Sequence, residues 1–403
     1  MKHYTPLDYV KIDISNSYGL DKESFEKRIA WVNRNQKDLL GKTNTAEKPA
    51  EYIAAVYAFE DAINGIPSGH LVGLDACASG IAILGILSGC ETTCKNTGIT
   101  GQKRMDFYSE CTKAMNEFLT EDIEVARADA KAATMTAYYG SKAKPKEIFG
   151  EDTDELFAFY TAQQSIAPGA CMLMQELLDS WQPYALEHRH TMPDGFDVIV
   201  PVLQKCKTKI EIDELAGHPT LTYIYEENLG SEKGLAVAAN VCHAIDSLLV
   251  RELVRRCNYD KIQLLLVSAI LKANETKEGN GGYTYMENLA NAHGFLSLRG
   301  AEFIDASNVL EFSLNYRLQL YQLIQETLAK PRFDVLTIHD CFKCLPAYMN
   351  YLRECYVTIL AELADSNVGQ QIISEIRNDP SYKLKKLSKN LGDKIMKSNY
   401  FLS

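Results

Sequence analysis

Three features of the 403 residues predict an α+β fold. Most of the chain falls into runs of good helix formers with apolar residues spaced for one buried face. Two short apolar runs, LVGL at 71–74 and FDVLTI at 333–338, read as buried strands, each followed closely by an aspartate, Asp75 and Asp340. Between 190 and 232, polar and apolar residues alternate around turn residues, the pattern of half-buried strands.

Composition bounds the rest. The length allows two to four domains or one large two-lobed unit with ample core. Apolar content of 46% and charged content of 24% are ordinary for a globular protein. No apolar run approaches the roughly 18 residues of a membrane span, and the start MKHYTPLDYVKIDIS has no apolar signal region, so no membrane partner is expected. Among eleven cysteines, Cys341-x-x-Cys344 and Cys90-x3-Cys94 lack a second pair at zinc-finger spacing, and reduced thiols are expected. A net charge of −11 argues against gripping nucleic acid over the whole surface. It leaves room for a local basic groove, because carboxylates clustered at an active site would also push the total towards acid. The tail from 381 onward is biased the other way, with Lys383, Lys385, Lys386, Lys389, Lys394 and Lys397 against Asp393.

In chain order, residues 9–14 alternate as a short strand, and helices follow over 22–39 and 46–63, the second ended by Gly65 and Pro67. LVGL then delivers Asp75 to a strand end, a place where a lone Asp is often only a cap. Helices resume over 105–117, 121–140 and 153–181. After the Pro193-Asp194-Gly195 turn a strand runs to 204. The segments 207–213 and 221–226, joined through AGHP, make a projecting hairpin over 205–232. Its first strand carries Lys205, Lys207 and Lys209; it either enters a nucleic-acid groove or simply solvates its lysines. An apolar helix over 234–256 carries His243. Residues 258–315, with KEGNGGY at 277–283, give no clear pattern. Helices over 317–329 and 347–366 flank the strand that ends in His339-Asp340. No internal repeat or low-complexity segment is present.

The helix over 121–140 is the most informative stretch. Glu121, Asp122 and Glu124 fall in its first turns, where the helix dipole favours acid. Arg127 and Lys131 leave one face, four residues apart, and repel unless an anion lies across them. Tyr139 follows about two turns later, and Gly140 can stop the helix in a left-handed conformation. Such a helix can hold a triphosphate at one end and read a sugar at the other; a solvated face with a buried Tyr is the plainer alternative. Two strands ending in Asp75 and Asp340 suit a pair of metal-ligating carboxylates.

Three motifs in order, DACASGI at 75–81, Arg127-x3-Lys131-x7-Tyr139-Gly140, and His339-Asp340, resemble those of the single-subunit RNA polymerases of bacteriophages and mitochondria. Lesser matches surround them: Asn16-x2-Gly19-x-Asp21-Lys22, Asp106-x-Tyr108, PDGF at 193–196, His243 with Asp246, and the closing SNYFLS. The resemblance covers nearly all of 8–403 except 258–315. It implies a right-hand palm built on an antiparallel sheet, with mostly helical fingers. Residues 1–105 would be the first part of the palm, 106–243 the fingers with the promoter-reading hairpin 205–232, and 244–403 the second part of the palm with an insertion at 258–315 and a C-terminal foot.

The resemblance also implies roles. Asp75 and Asp340, with the carbonyl of Ala76, would bind two Mg²⁺ ions. Arg127 and Lys131 would hold the incoming NTP, Lys131 also protonating pyrophosphate, and Lys22 would neutralise the departing phosphates. Tyr139 and His243 would sense the ribose 2′-hydroxyl, and His339 would lie beside the RNA 3′ end. The related family A DNA polymerases place a Glu where Gly80 stands, blocking that hydroxyl; Gly80 leaves the space open. A site that hydrogen-bonds a hydroxyl rejects substrates lacking it.

There are departures. Ala76 replaces a usual Gly, and only 74 residues precede Asp75. The family's promoter-binding N-terminal domain, full thumb and upstream Arg motif are not found. The intact start and SNYFLS suggest a natural chain, so the sequence most resembles the larger subunit of a split, heterodimeric coliphage RNA polymerase. The expected partners are a smaller subunit, template DNA, nascent RNA, NTPs and a single-stranded DNA-binding accessory protein, in the cytoplasm of an infected bacterial host. The rival readings are a primase-like or DNA-synthesising palm enzyme and a catalytically silent protein that recruits a host polymerase.

Overall fold

The computed structural model describes residues 1–120, 122–230, 234, 236–279 and 284–403. Glu121, the last two residues of the expected 205–232 hairpin segment and the NGGY part of KEGNGGY lie outside the described residues. The described residues are α+β, with many helices around three small antiparallel sheets.

Helix α1 (Pro6–Tyr18) occupies the stretch expected as a strand. The alternation of Val10, Ile12 and Ile14 suggested a period of two, but the helix packs against two further helices and the central sheet, so more than one of its faces is buried. A capping box starts it, with Thr5 accepting from the Asp8 N–H and Asp8 returning to Thr5, and Pro6 opens the first turn. Helices α2 (Phe25–Asn35) and α3 (Pro49–Ile63) follow; Lys22 lies in the turn before α2 rather than inside it.

Strand β1 (Val72–Asp75) buries Val72 and Leu74 and turns Gly73 and Asp75 the other way. Helix α4 (Ser79–Ser88) is buried along almost its whole length, between later helices. After α5 (Glu91–Asn96) and α6 (Phe107–Phe118) comes α7 (Arg127–Ala137), shorter than the expected 121–140. Asn116 Oδ1 captures the Val125 N–H at 3.0 Å and Val125 is buried, so Asp122 and Glu124 precede the helix. Helices α8 (Ala143–Phe149), α9 (Asp154–Ile166) and α10 (Pro168–Asp179) complete this lobe; Pro168 divides the single helix expected over 153–181.

Strands β2 (Glu187–Thr191) and β3 (Asp197–Pro201) form a hairpin whose turn is the Pro193-Asp194-Gly195 segment. β2 was not expected. Strands β4 (Gln204–Glu211) and β5 (Thr220–Glu227) form the projecting hairpin, with Lys205, Lys207 and Lys209 alternating along β4 opposite Glu226, Ile224 and Thr222. Helix α11 (Ala236–Cys257) then crosses the core.

The region expected only as an unplaced insertion has its own core. Helices α12 (Lys261–Ala273), α13 (Tyr285–His293) and α14 (Leu314–Leu328), with short 3₁₀ turns, enclose Leu264, Met286, Phe312, Leu320 and Ile324. Buried polar bonds fasten it to α11: Glu252 accepts from Ser297 and the Leu298 N–H, and Arg299 donates to the Asp194 carbonyl at 2.6 Å. Asp194 in turn takes Arg251 and Arg255.

Strands β6 (Leu336–Ile338) and β7 (Cys341–Cys344) close the central sheet in the order β1-β7-β6. β6 is an edge strand with Leu336 and Ile338 each 49% exposed, not the buried strand its apolar run suggested. The burial falls on β7, at Phe342 and Cys344. Helices α15 (Met349–Asp365), α16 (Val368–Arg377) and α17 (Leu391–Met396) end the chain. Fully buried Arg353 binds the Lys2 and Asn399 carbonyls and the Tyr9 hydroxyl, pinning both ends of the chain to α15. Among the described residues, no helix is long and apolar enough to cross a membrane.

Candidate active site

The central sheet brings the two aspartates together. Ile338 pairs with Cys341 across the β6–β7 turn, so His339 and Asp340 are its two tip residues, and His339 takes a left-handed φ of 55°. Asp75 pairs with Cys341 on the other side of β7. The Ala76 N–H donates to the Asp340 carbonyl at 3.2 Å, and the Ser403 N–H donates to the Asp75 carbonyl at 2.9 Å. The closing segment thus folds back onto the strand end that bears Asp75.

A cavity of about 1410 Å³ opens over this point. It collects all ten candidate site residues from the sequence: Lys22, Asp75, Ala76, Gly80, Arg127, Lys131, Tyr139, His243, His339 and Asp340. They come from the turn after α1, from β1, the N-terminus of α4, α7, α11 and the β6–β7 turn.

On α7, Arg127 and Lys131 both lie over the Tyr108 ring, 5.8 and 5.6 Å from its centroid. Asp106 and Ser109, at the start of α6, hold the Arg127 guanidinium. Burial pushes the Asp106 carboxyl up, but the bonds from Arg127 and Ser109 outweigh it and hold the group below the ordinary carboxylate range. Tyr139, just past α7, lies 5.6 Å ring to ring from His243 on α11. Burial raises the Tyr139 hydroxyl to about 12, so it stays a neutral donor.

Gly80 lies directly against Tyr139. A Cβ built there would come 2.9 Å from the Tyr139 hydroxyl, so glycine is what lets that ring lie against α4.

Two carboxyls are displaced upward. Burial, and then the charge of Asp340, raise Asp75 to about 6. The same two causes, opposed by a hydrogen bond from Ser79, raise Asp246 to about 7. Asp246 was noticed in sequence only as a companion of His243; its three-residue spacing on α11 was the signal, and its approach to Asp340 is visible only in the fold.

The donor set fits a hard divalent cation. Asp75, Asp340 and the Ala76 carbonyl offer oxygen only, and Mg²⁺ characteristically takes one or two carboxylates and completes its shell with water and phosphate. Asp13, Asp21, Glu47, Glu51, Asp106 and Asp246 also line the cavity, against Lys22, Lys48, Arg104, Arg127, Lys131, Arg251 and Lys343. A polyanionic substrate would therefore need added positive charge near Asp75 and Asp340. The one tight cluster of potential metal-binding side chains among the described residues lies elsewhere, at Glu211, Asp213 and His218 at the exposed tip of the β4–β5 hairpin.

No curated protein matches the chain. His243, His339 and Asp340 lie beyond the part of the sequence that a family model covers, and for them the shared cavity is the link. Residues 3–143, which carry Lys22, Asp75, Ala76, Gly80, Arg127, Lys131 and Tyr139, match the family model of DNA-dependent RNA polymerase, and the match supports DNA-directed RNA polymerase activity.

Proposed function

We propose that this chain is the catalytic subunit of a split, phage-type RNA polymerase that adds NTPs to an RNA 3′ end on a DNA template. One observation carries the reading: residues from Lys22 to Asp340, spread over most of the sequence, line a single cavity of the composition the chemistry needs.

In the proposed reaction the RNA 3′-hydroxyl oxygen attacks the α-phosphorus of the NTP. A new P–O bond forms, the bond to pyrophosphate breaks, and the hydroxyl proton is lost to solvent. Asp75, Asp340 and the Ala76 carbonyl would hold two Mg²⁺ ions, which when bound favour the ionised hydroxyl and offset charge on the leaving pyrophosphate. Arg127 and Lys131 bind the triphosphate; the Lys131 ammonium has a proton to give the leaving oxygen. Lys22 neutralises the released phosphates. Tyr139 and His243 bracket the ribose, and His339 lies beside the RNA 3′ end.

The β1-β7-β6 sheet with α1, α3, α11 and α15 supports a palm, and α6–α10 support helical fingers, with the β4–β5 hairpin reading DNA. A smaller subunit would supply the thumb and promoter domain. A single-stranded DNA-binding protein would assist initiation in the cytoplasm of an infected bacterium.

The test is ribonucleotide incorporation on primed single-stranded DNA by the chain with any co-purifying subunit, and by the Asp340→Asn variant. Mg²⁺-dependent synthesis lost in the variant is the expected result. Asp340-independent synthesis would defeat the mechanism, and full processive activity from the lone chain would defeat the split.

A further inference from the structure

We propose that Arg104 is a substrate-binding residue that holds the pyrophosphate end of the incoming NTP; this rests on the polymerase reading above. Nothing in the sequence marks Arg104, which follows Lys103 in the irregular segment between α5 and α6. It lines the cavity. Its Nη1 donates to the Met105 carbonyl and approaches Cys77 Sγ at 3.7 Å, which anchors the guanidinium two residues beyond Asp75. Its Nε is buried without a hydrogen-bond partner among the described residues.

The other cavity-lining arginines are paired: Arg127 with Asp106, and Arg251 with Asp194. Arg104 makes no ion pair with a described carboxylate, and another cation feels its charge. Fully buried Arg28, held by the Asp21 and Glu23 carbonyls and by Asn16, feels the charge of Arg104. A buried donor without an acceptor costs free energy, and a guanidinium fork matches phosphate oxygens in pairs. The Arg104 guanidinium thus lines the cavity with no carboxylate partner of its own among the described residues.

The surroundings say which anion. Arg104 acts electrostatically on Asp106, the partner of Arg127, and on Arg28, which grips the Asp21 carbonyl beside Lys22. Arg127 in turn feels Asp21. Arg104 therefore lines the same cavity as the Asp21–Lys22 turn and the Asp106–Arg127 pair, the two places proposed to receive the outer phosphates.

The test compares wild type, Arg104→Gln and Arg104→Lys on a primed template. We expect Arg104→Gln to raise the KM for all four NTPs about 10- to 100-fold and to weaken pyrophosphate inhibition by a similar factor, with the template KM unchanged. Arg104→Lys should fall between. Wild-type values for both NTP and pyrophosphate would overturn the proposal, as would equal losses for NTP and template, which would mark a structural anchor. Equilibrium binding of Mg·ATP gives a readout free of catalysis. If wild type with any co-purifying subunit incorporates no ribonucleotide the polymerase reading fails, yet weaker Mg·ATP binding by Arg104→Gln still supports the assignment, and equal binding still overturns it. If Arg104→Gln does not fold, Arg104→Lys decides by the same two readouts.

Discussion

Asp106 grips Arg127 with two parallel hydrogen bonds, Nε to Oδ2 at 2.7 Å and Nη2 to Oδ1 at 3.0 Å. This leaves Nη1 and one Nη2 hydrogen for the phosphate proposed to bind there, with the guanidinium over Tyr108. The pair therefore orients the cation before substrate arrives. Asp106→Ala should raise the KM for NTPs about tenfold, since a charge-assisted bond of this type contributes about 1.5–3 kcal/mol. Steady-state kinetics would check it; an unchanged or lower KM would mean that Asp106 competes with substrate instead of positioning Arg127.

Gly80 and Tyr139 form a second coupled pair. Gly80→Ala places a methyl 2.9 Å from the Tyr139 hydroxyl and should cost about 1–3 kcal/mol of stability. Removing that hydroxyl should return part of the loss, so the Gly80→Ala/Tyr139→Phe double variant is expected to melt above Gly80→Ala alone. Strict additivity of the two single changes would show that the contact is not the cause.

Stability should depend on pH through Asp246. Folded, its carboxyl titrates near 7, against an ordinary value of 3.8, so between these values the folded protein holds a proton that the unfolded chain has lost. Its contribution is fully present below about pH 4 and disappears as pH rises through 7. Asp75 acts with the same sign up to about pH 6. Melting temperature measured with EDTA should fall between pH 5 and 8, and Asp246→Asn should flatten that slope. An identical slope in the variant would remove Asp246 from the account.

Arg353 should control the closing segment. Arg353→Met leaves the Lys2 and Asn399 carbonyls without their buried donor and should cost about 2–5 kcal/mol. Hydrogen exchange at 398–403 should rise more than at β7. Uniform exchange across both would show that Arg353 supports the core generally rather than this segment.

What was legible in the sequence was what local pattern encodes. The Arg127–Lys131 spacing, the β4–β5 alternation and the two strand-end aspartates each depend on neighbours a few residues away. Failures came where tertiary context decides. Val10, Ile12 and Ile14 alternate, yet α1 is a helix because it is buried on more than one side, and the Thr5–Asp8 box with Pro6 was the better signal. The FDVLTI run is apolar, yet Leu336 and Ile338 lie on an open sheet edge. The α12–α14 core is assembled from short turns that carry no long period. Arg104 and Asp246 owe their surroundings to residues distant in sequence.

The pairing of β1 with β7 has a temporal side. Asp75 and Asp340 are separated by about two-thirds of the chain, and the Ser403 bond to Asp75 joins the last residue to the same point. At roughly 5–20 residues per second of synthesis, the interval between the two aspartates lasts about 13–50 s. During that time β1 waits without its partner, and closing so long a loop is slow. Under the proposed reading, a nascent chain would lack the paired aspartates until β7 has been made, and a product ending before β7 would lack that pair altogether.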